Sequence, residues 1–250
     1  MKTHRLKAAA IAVFATLAIC TSGRSQAVTG FSDLNYWGAG TNRAGLVISW
    51  NDGKTTSTIA WGFSWTGTMT AWDMLQTIAT ADPRLFIRID SASSFGPALY
   101  GVGYDNNGNG IFSVSGAVDV NGNATTPIFI SGISNMNTNA NGSEAPFSSA
   151  NALPTEAADH YAEGWLDNGF WEFYTGSANS SYPTTWTSSF DGAGGTTLVN
   201  NGWYAFSITD PAYTSHVPGA AVAAVPEPAT VALLVLGGLA LLWHRRARHA

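Results

Sequence analysis

The stretch "DHYAEGWLDNGFWE", residues 159–172, gathers Asp159, His160, Glu163, Asp167 and Glu172. Two carboxylates flanking a cleft can hydrolyse a glycoside, one as general acid and the other as base or nucleophile. Sequence spacing does not set their separation, so the simpler expectation is a polar loop entering an aromatic strand. A second cluster, "YDNNGNGIF", places Asp105, Asn107 and Asn109 at alternate positions before Gly110. Oxygen ligands so spaced, followed by a glycine that permits a sharp bend, form the first half of a calcium loop. Gly116 stands where the loop's bidentate acid belongs. The competing expectation is an Asn-Gly turn between two strands. Asp105, Asn107 and Asn109 are therefore the metal candidates, with calcium the one cofactor to consider. No residue is assigned a catalytic role, and a non-enzymatic protein is expected.

Other chemistries fail on residue types. Between Val28 and Val225 there are two histidines, His160 and His216, and no cysteine. That rules out a three-histidine or cysteine zinc site. "GFSWTG" misses the Gly-x-Ser-x-Gly elbow because Thr66 replaces the second glycine. No Gly-rich loop ends in Gly-Lys-Ser/Thr. The same span holds four cations, Arg43, Lys54, Arg84 and Arg88, against fifteen acids, a net charge of −11. Nucleic acid needs a basic face to displace its counterions, so it is not an expected partner.

The elements that must position these residues are mostly strands. "GLVISW" and "STIAWGFSW" flank "NDGKTT", where Asp52-Gly53 suits a hairpin turn. Ile59, Trp61, Phe63 and Trp65 alternate with smaller residues and make one aromatic face. "RLFIRID", "ALYGVGYD", "GIFSVSGAV", "TPIFISGI", "FWEFYTG" and "GWYAFSITD" read as further strands. One helix is expected: Thr70 caps it, Asp73 completes a capping box, and Ala71, Met74, Leu75 and Ile78 share a face. Hairpin, helix, then strands is a β-grasp-like order. The fold class is α+β, mostly antiparallel β with one main helix. Residues 134–158 are rich in Asn, Ser, Ala and Gly and read as a long surface insertion. Nine tryptophans between Trp37 and Trp203 offer either sugar-stacking faces or core filling, with Trp61, Trp65 and Trp72 assigned to the core.

The two ends carry different signals. Lys2, Arg5 and Lys7 precede an apolar run from Ala8 to Ile19, and Ser25-Gln26-Ala27 offers small residues for cleavage between Ala27 and Val28. Residues 1–27 thus read as a signal peptide cut by signal peptidase. Cys20, the single cysteine, follows Ile19 rather than a small residue, which disfavours lipidation. Residues 28–215 form the exported domain and 216–225 a small, apolar linker. Pro226-Glu227-Pro228 then precedes "ATVALLVLGGLALLW", residues 229–243, and Arg245, Arg246 and Arg248. The run is about 23 Å long as a helix, short for a ~30 Å hydrocarbon core. The arginines decide for a transmembrane helix with its body outside the cytoplasm.

That order closely resembles the PEP-CTERM sorting signal, over roughly a tenth of the chain. The resemblance implies recognition by an exosortase, removal of the tail, and release or attachment at the surface of a Gram-negative bacterium after a transient stay in the inner membrane. Such proteins often accompany extracellular polysaccharide. Within the body, Trp171, Tyr174, Trp186, Gly192, Gly202 and Trp203 resemble the aromatic and glycine spacing of transcobalamin-like β-grasp domains, over about forty residues. The expected function is an exported surface or matrix protein binding polysaccharide or calcium. The alternatives are a small-molecule-binding β-grasp module and an extracellular glycan hydrolase.

Overall fold

The computed structural model describes residues 26–91, 97–119, 123–135, 151–164 and 169–225. The strands, in chain order, are β1 (Tyr36–Gly38), β2 (Asn42–Ser49), β3 (Thr58–Trp65), β4 (Leu85–Asp90), β5 (Ala98–Tyr104), β6 (Val114–Ser115), β7 (Ala117–Val118) and β8 (Ala124–Thr125). They continue as β9 (Ile133–Asn135), β10 (Leu153–Pro154), β11 (His160–Glu163), β12 (Trp171–Gly176), β13 (Trp186–Ser188), β14 (Gly202–Ile208) and β15 (Val222–Ala223). Two short helices, α1 (Ala71–Ala81) and α2 (Gly192–Gly195), and a single 3-10 turn at Phe31–Asp33 complete the described elements.

The main sheet runs β1-β3-β2-β14-β12-β13, with β15 also on β3. A second sheet runs β11-β5-β4-β9, and β10-β6 and β7-β8 are small ribbons. The protein is mostly β, and its sheets are mixed: antiparallel pairs predominate, as expected, but parallel pairs join them. β2 pairs with β14 in parallel, as do β1 and β15 with β3 and β9 with β4. Parallel pairing needs long connections, and here the whole second sheet lies between β3 and β14.

Strand alternation explains the core. Ile59, Trp61, Phe63 and Trp65 face inward together with Leu46 and Ile48 of β2, and meet α1, Ile87 and Ile89 of β4, and Val102 and Tyr104 of β5. The other face of the main sheet, with Val47, Ala60, Trp203 and Ala205, is covered by Val28, Phe31 and Leu34 from the start of the domain. Being buried on both faces, β2 and β14 read as near-continuous apolar runs. Gly45 belongs to this packing, since a Cβ there would lie 2.2 Å from the Trp203 ring. Trp61, Trp65 and Trp72 are core residues, as are Trp50 and Trp203.

α1 starts as its sequence predicts. The Asp73 N–H donates to Thr70 Oγ1 at 3.1 Å, and the Thr70 N–H returns to Asp73 Oδ2 at 2.9 Å. β2 and β3 form the expected hairpin around "NDGKTT", with residues 50–57 between the strands and Gly53 at a positive φ of 71°. From this loop Asp52 reaches His160. The expected strands over "GIFSVSGAV" and "TPIFISGI" reduce to the short pieces β6, β7 and β9. Of the expected insertion, residues 136–150 lie outside the described residues. The segment expected as a linker does not stay free at its end: Ala221, Ala223 and Ala224 are buried, and β15 joins β3. Their small side chains and the lack of charge let this backbone complete a sheet edge.

Candidate functional site

The loop after β5 is built around Asp105. Its Oδ1 accepts the Gly108 N–H at 2.7 Å and its Oδ2 the Gly110 N–H at 2.8 Å. Asn107 Oδ1 accepts the Asn109 N–H at 2.9 Å, and Asn109 Oδ1 accepts the Ile111 N–H at 2.7 Å. The amide groups of Asn107 and Asn109 both donate to Glu156 Oε2, at 2.7 and 2.8 Å. The oxygens proposed as calcium ligands are thus turned onto backbone N–H groups. Among the described residues, no group of three His, Cys, Asp or Glu side chains is placed to hold a metal ion.

Arg84 braces this loop from below. Its Nε donates to the Asp105 carbonyl at 2.7 Å, one Nη to the Asn106 carbonyl at 2.9 Å and the other to the Val225 carbonyl at 3.1 Å. The guanidinium lies 4.6 Å from the centre of the Tyr104 ring. Buried Asp159 accepts the Asn106 N–H at 3.1 Å through Oδ1, while its Oδ2 has no partner. Burial, then the charge of Asp105, holds the Asp159 carboxyl above its ordinary range. His160 Nδ1 lies 2.7 Å from Asp52 Oδ2, and the His160 ring stacks on Trp50 at 4.9 Å. Partial burial pushes Asp52 up, but its hydrogen bond and charge interaction with His160, with help from Lys54, outweigh that and leave it below the usual value.

Among the described residues, Glu163 and Glu172 each have partners of their own. Glu163, at the end of β11, pairs with Arg88 of β4 and accepts the Tyr161 hydroxyl at 2.6 Å. Burial, then the adjacent Glu163 charge, keeps that phenol protonated and therefore a donor. Arg88 also donates to the Val118 carbonyl. Glu172 lies on the other sheet, in β12, and accepts the Tyr174 hydroxyl. Asp167 lies outside the described residues. Sequence reasoning missed Arg84 and Arg88, yet both carried a signal: they are two of only four cations in the body, set against an otherwise apolar strand.

Above the buried Arg88–Glu163 pair lies an open groove of about 280 Å³, lined by Arg88, Asp119, Thr125, Thr126, Ile128 and Asn135 among others. A second, broader depression shares Thr125 and Thr126 and continues over Ser113, Ser115 and Thr155.

Beside the loop that Arg84 braces, the chain approaches its C-terminal signal in a fixed path. Residues 224–246 match the PEP-CTERM protein-sorting motif. The C-terminus carries this sorting signal. The motif implies an exported protein that exosortase processes. Its Pro226-Glu227-Pro228 and the apolar run 229–243 lie outside the described residues, as do residues 1–25, most of the expected signal peptide. Among the described residues no helix is long and apolar enough to cross a membrane. No curated protein matches the chain. No solved structure matches it either. The resemblance to transcobalamin-like domains thus finds no support. Its carriers Trp171 and Trp203 are accounted for by packing on opposite faces of the main sheet.

Proposed function

We propose that the body is a non-enzymatic surface domain that binds extracellular polysaccharide once exported to the surface of a Gram-negative cell. One observation carries this reading: the two adjoining depressions present a strip of hydroxyl, amide and charged groups with Thr125 and Thr126 at their junction. Sugar hydroxyls are recognised by such convergent donors and acceptors. The strip works through polar groups rather than through a row of tryptophans, since six tryptophans are buried in the described core. Separate partners for Glu163 and Glu172 weigh against the hydrolase alternative. The negative body disfavours nucleic acid. Signal peptidase and exosortase are the processing partners in this reading, with a transient stay in the inner membrane.

The fold is best described as β-grasp-like. The β2–β3 hairpin, the following helix α1, and the central parallel pair β2–β14 flanked by β3 and β12 support that description. It carries no ligand with it.

Affinity electrophoresis in gels containing the host's own exopolysaccharide tests the binding. Wild-type protein should be retarded, and Thr126→Trp, which fills the junction, should restore migration. Equal migration with and without polysaccharide overturns the reading. Release of reducing sugar by the purified body overturns its non-enzymatic part.

A further inference from the structure

The last described residues are held on every side. The Val28 N–H donates to the Ala221 carbonyl at 2.9 Å, and the Ala223 N–H to the Gln26 carbonyl at 3.0 Å. β15 pairs in parallel with Ile59 and Ala60 of β3. The Ala224 N–H then donates to the Ala60 carbonyl at 2.8 Å, and the Asn35 side-chain amide donates to the Ala224 carbonyl at 2.7 Å. Arg84 takes the Val225 carbonyl. The sorting-motif match begins at Ala224, so its first two residues belong structurally to the body, and Ala224 is 1% exposed.

We propose that β3, Asn35 and Arg84 form an intramolecular docking site for the start of the sorting signal, and that exosortase processing acts on the undocked chain. Arg84 and Asn35 are positioning residues for that reaction. The inference rests on the sorting motif and goes beyond the polysaccharide reading, which can fail without affecting it.

Two physical arguments support it. An enzyme that holds an extended segment does so largely through backbone N–H and C=O groups. The Ala224 N–H and the carbonyls of both residues ahead of Pro226 are already occupied by the body. The second argument is reach. From Val225 to Ala229, where the apolar run starts, is four residues, at most about 14 Å of extended chain. A docked signal therefore keeps the folded body against the membrane surface and leaves little room for an enzyme between them. Releasing residues back to His216 adds roughly 30 Å of chain. A two-residue strand at a sheet edge, followed by two anchored carbonyls, is the kind of element that opens locally without global unfolding.

Ala60 and Ala223 are register partners and share one buried cluster. Cysteines at these two positions can be bridged at the Cα spacing of paired strands. The chain's own Cys20 lies within the signal peptide. The experiment follows loss of the tail by pulse–chase in the full-length chain, in a host carrying exosortase. Chains with Ala60→Cys and Ala223→Cys, once cross-linked, should be processed at least about tenfold more slowly, because the competent fraction is removed, and reductant should restore the rate. Asn35→Ala, at an exposed residue, should accelerate processing by roughly two- to fivefold, and Arg84→Ala by more, through a larger undocked fraction. Phe173→Ala, in β12 away from β3, Asn35 and Arg84, lowers global stability without touching the docking contacts and separates the structural explanation. If it accelerates processing more than Asn35→Ala does, processing follows global unfolding and the proposal fails. Cross-linked chains processed at the wild-type rate also overturn it.

Discussion

Within β2, β3 and β14 of the main sheet the buried polar side chains are neutral hydroxyls, Ser49, Thr58 and Ser207. Around β4, β5 and β11 of the second sheet they are charged: Arg84, Arg88, Asp90, Asp105, Asp159 and Glu163, with His160 beside them. The main sheet is packed on both faces by apolar side chains, so any charge there would lose water with no partner to replace it. The second sheet ends in loops whose backbone carbonyls and N–H groups need partners away from water, and its charged groups supply them. Arg84 binds three carbonyls, and Asp105 binds two N–H groups. One sheet is a hydrophobic platform, and the other is a polar scaffold for irregular chain.

The largest test of this contrast sets Phe63→Ala against Arg88→Met. Truncating Phe63, buried between the sheets, should cost about 3–5 kcal/mol through the cavity it leaves. Arg88→Met should cost a similar ~3–5 kcal/mol, because Glu163 keeps its charge without its ion partner. The double change Arg88→Met with Glu163→Leu should recover most of the second loss, since a buried ion pair contributes little over packed apolar groups. Denaturant unfolding measures all three. A double variant as unstable as Arg88→Met would show that the pair supports the Val118 carbonyl more than each other.

A smaller effect separates the two expectations for the loop after β5. Asp105→Ala should lower stability by about 1–3 kcal/mol, the cost of leaving the Gly108 and Gly110 N–H groups unmatched. Melting temperatures in millimolar calcium and in chelator should coincide for the wild type. A calcium-dependent rise that Asp105→Ala abolishes would instead restore the cation-site reading, because a ligand bound only to the folded state raises its stability.

The smallest effect sharpens the electrostatics of the polar sheet. Asp52 is held below its ordinary value, so its contribution is present above about 3.9 and is lost as pH falls through its lower folded value. Asp159 is held above its ordinary value, so its charged form costs stability. That cost is absent in acid and grows as pH rises from about 3.9 through its higher folded value. Asp52→Asn should therefore lower the melting temperature at pH 7 by a few degrees, for a loss of about 1 kcal/mol, and change little near pH 2. Asp159→Asn should shift it the other way at pH 7. Thermal unfolding across pH 2–8 checks both signs, and the same sign for both variants would break the comparison between these neighbouring acids.

Local patterns made several elements legible. The capping box of α1 involves residues three apart, and the alternation through β3 needs only a period of two, so both were readable from the chain. The tail's motif was readable for the same reason: it is a short linear order of Pro-Glu-Pro, apolar run and arginines. Its match over residues 224–246 agrees with that reading. The candidate carboxylates were less legible. Glu163 and Glu172 are nine positions apart in sequence but lie on different sheets, each held by a tyrosine two residues away along its own strand.

Sequence by itself determined the helix, the aromatic face of β3, the acidity of the body and the sorting signal, because each is written in neighbouring residues or in composition. Tertiary structure decided the rest. It turned Asp105, Asn107 and Asn109 onto backbone N–H groups, which the turns of a glycine-rich loop leave without strand partners. It brought Asp52 to His160 across 108 positions and Arg84 to Val225 across 141. It converted a presumed linker into β15, because β3 offered an edge with unpaired backbone groups. Contacts of that range depend on which strands share a sheet, and no local pattern in the chain encodes them.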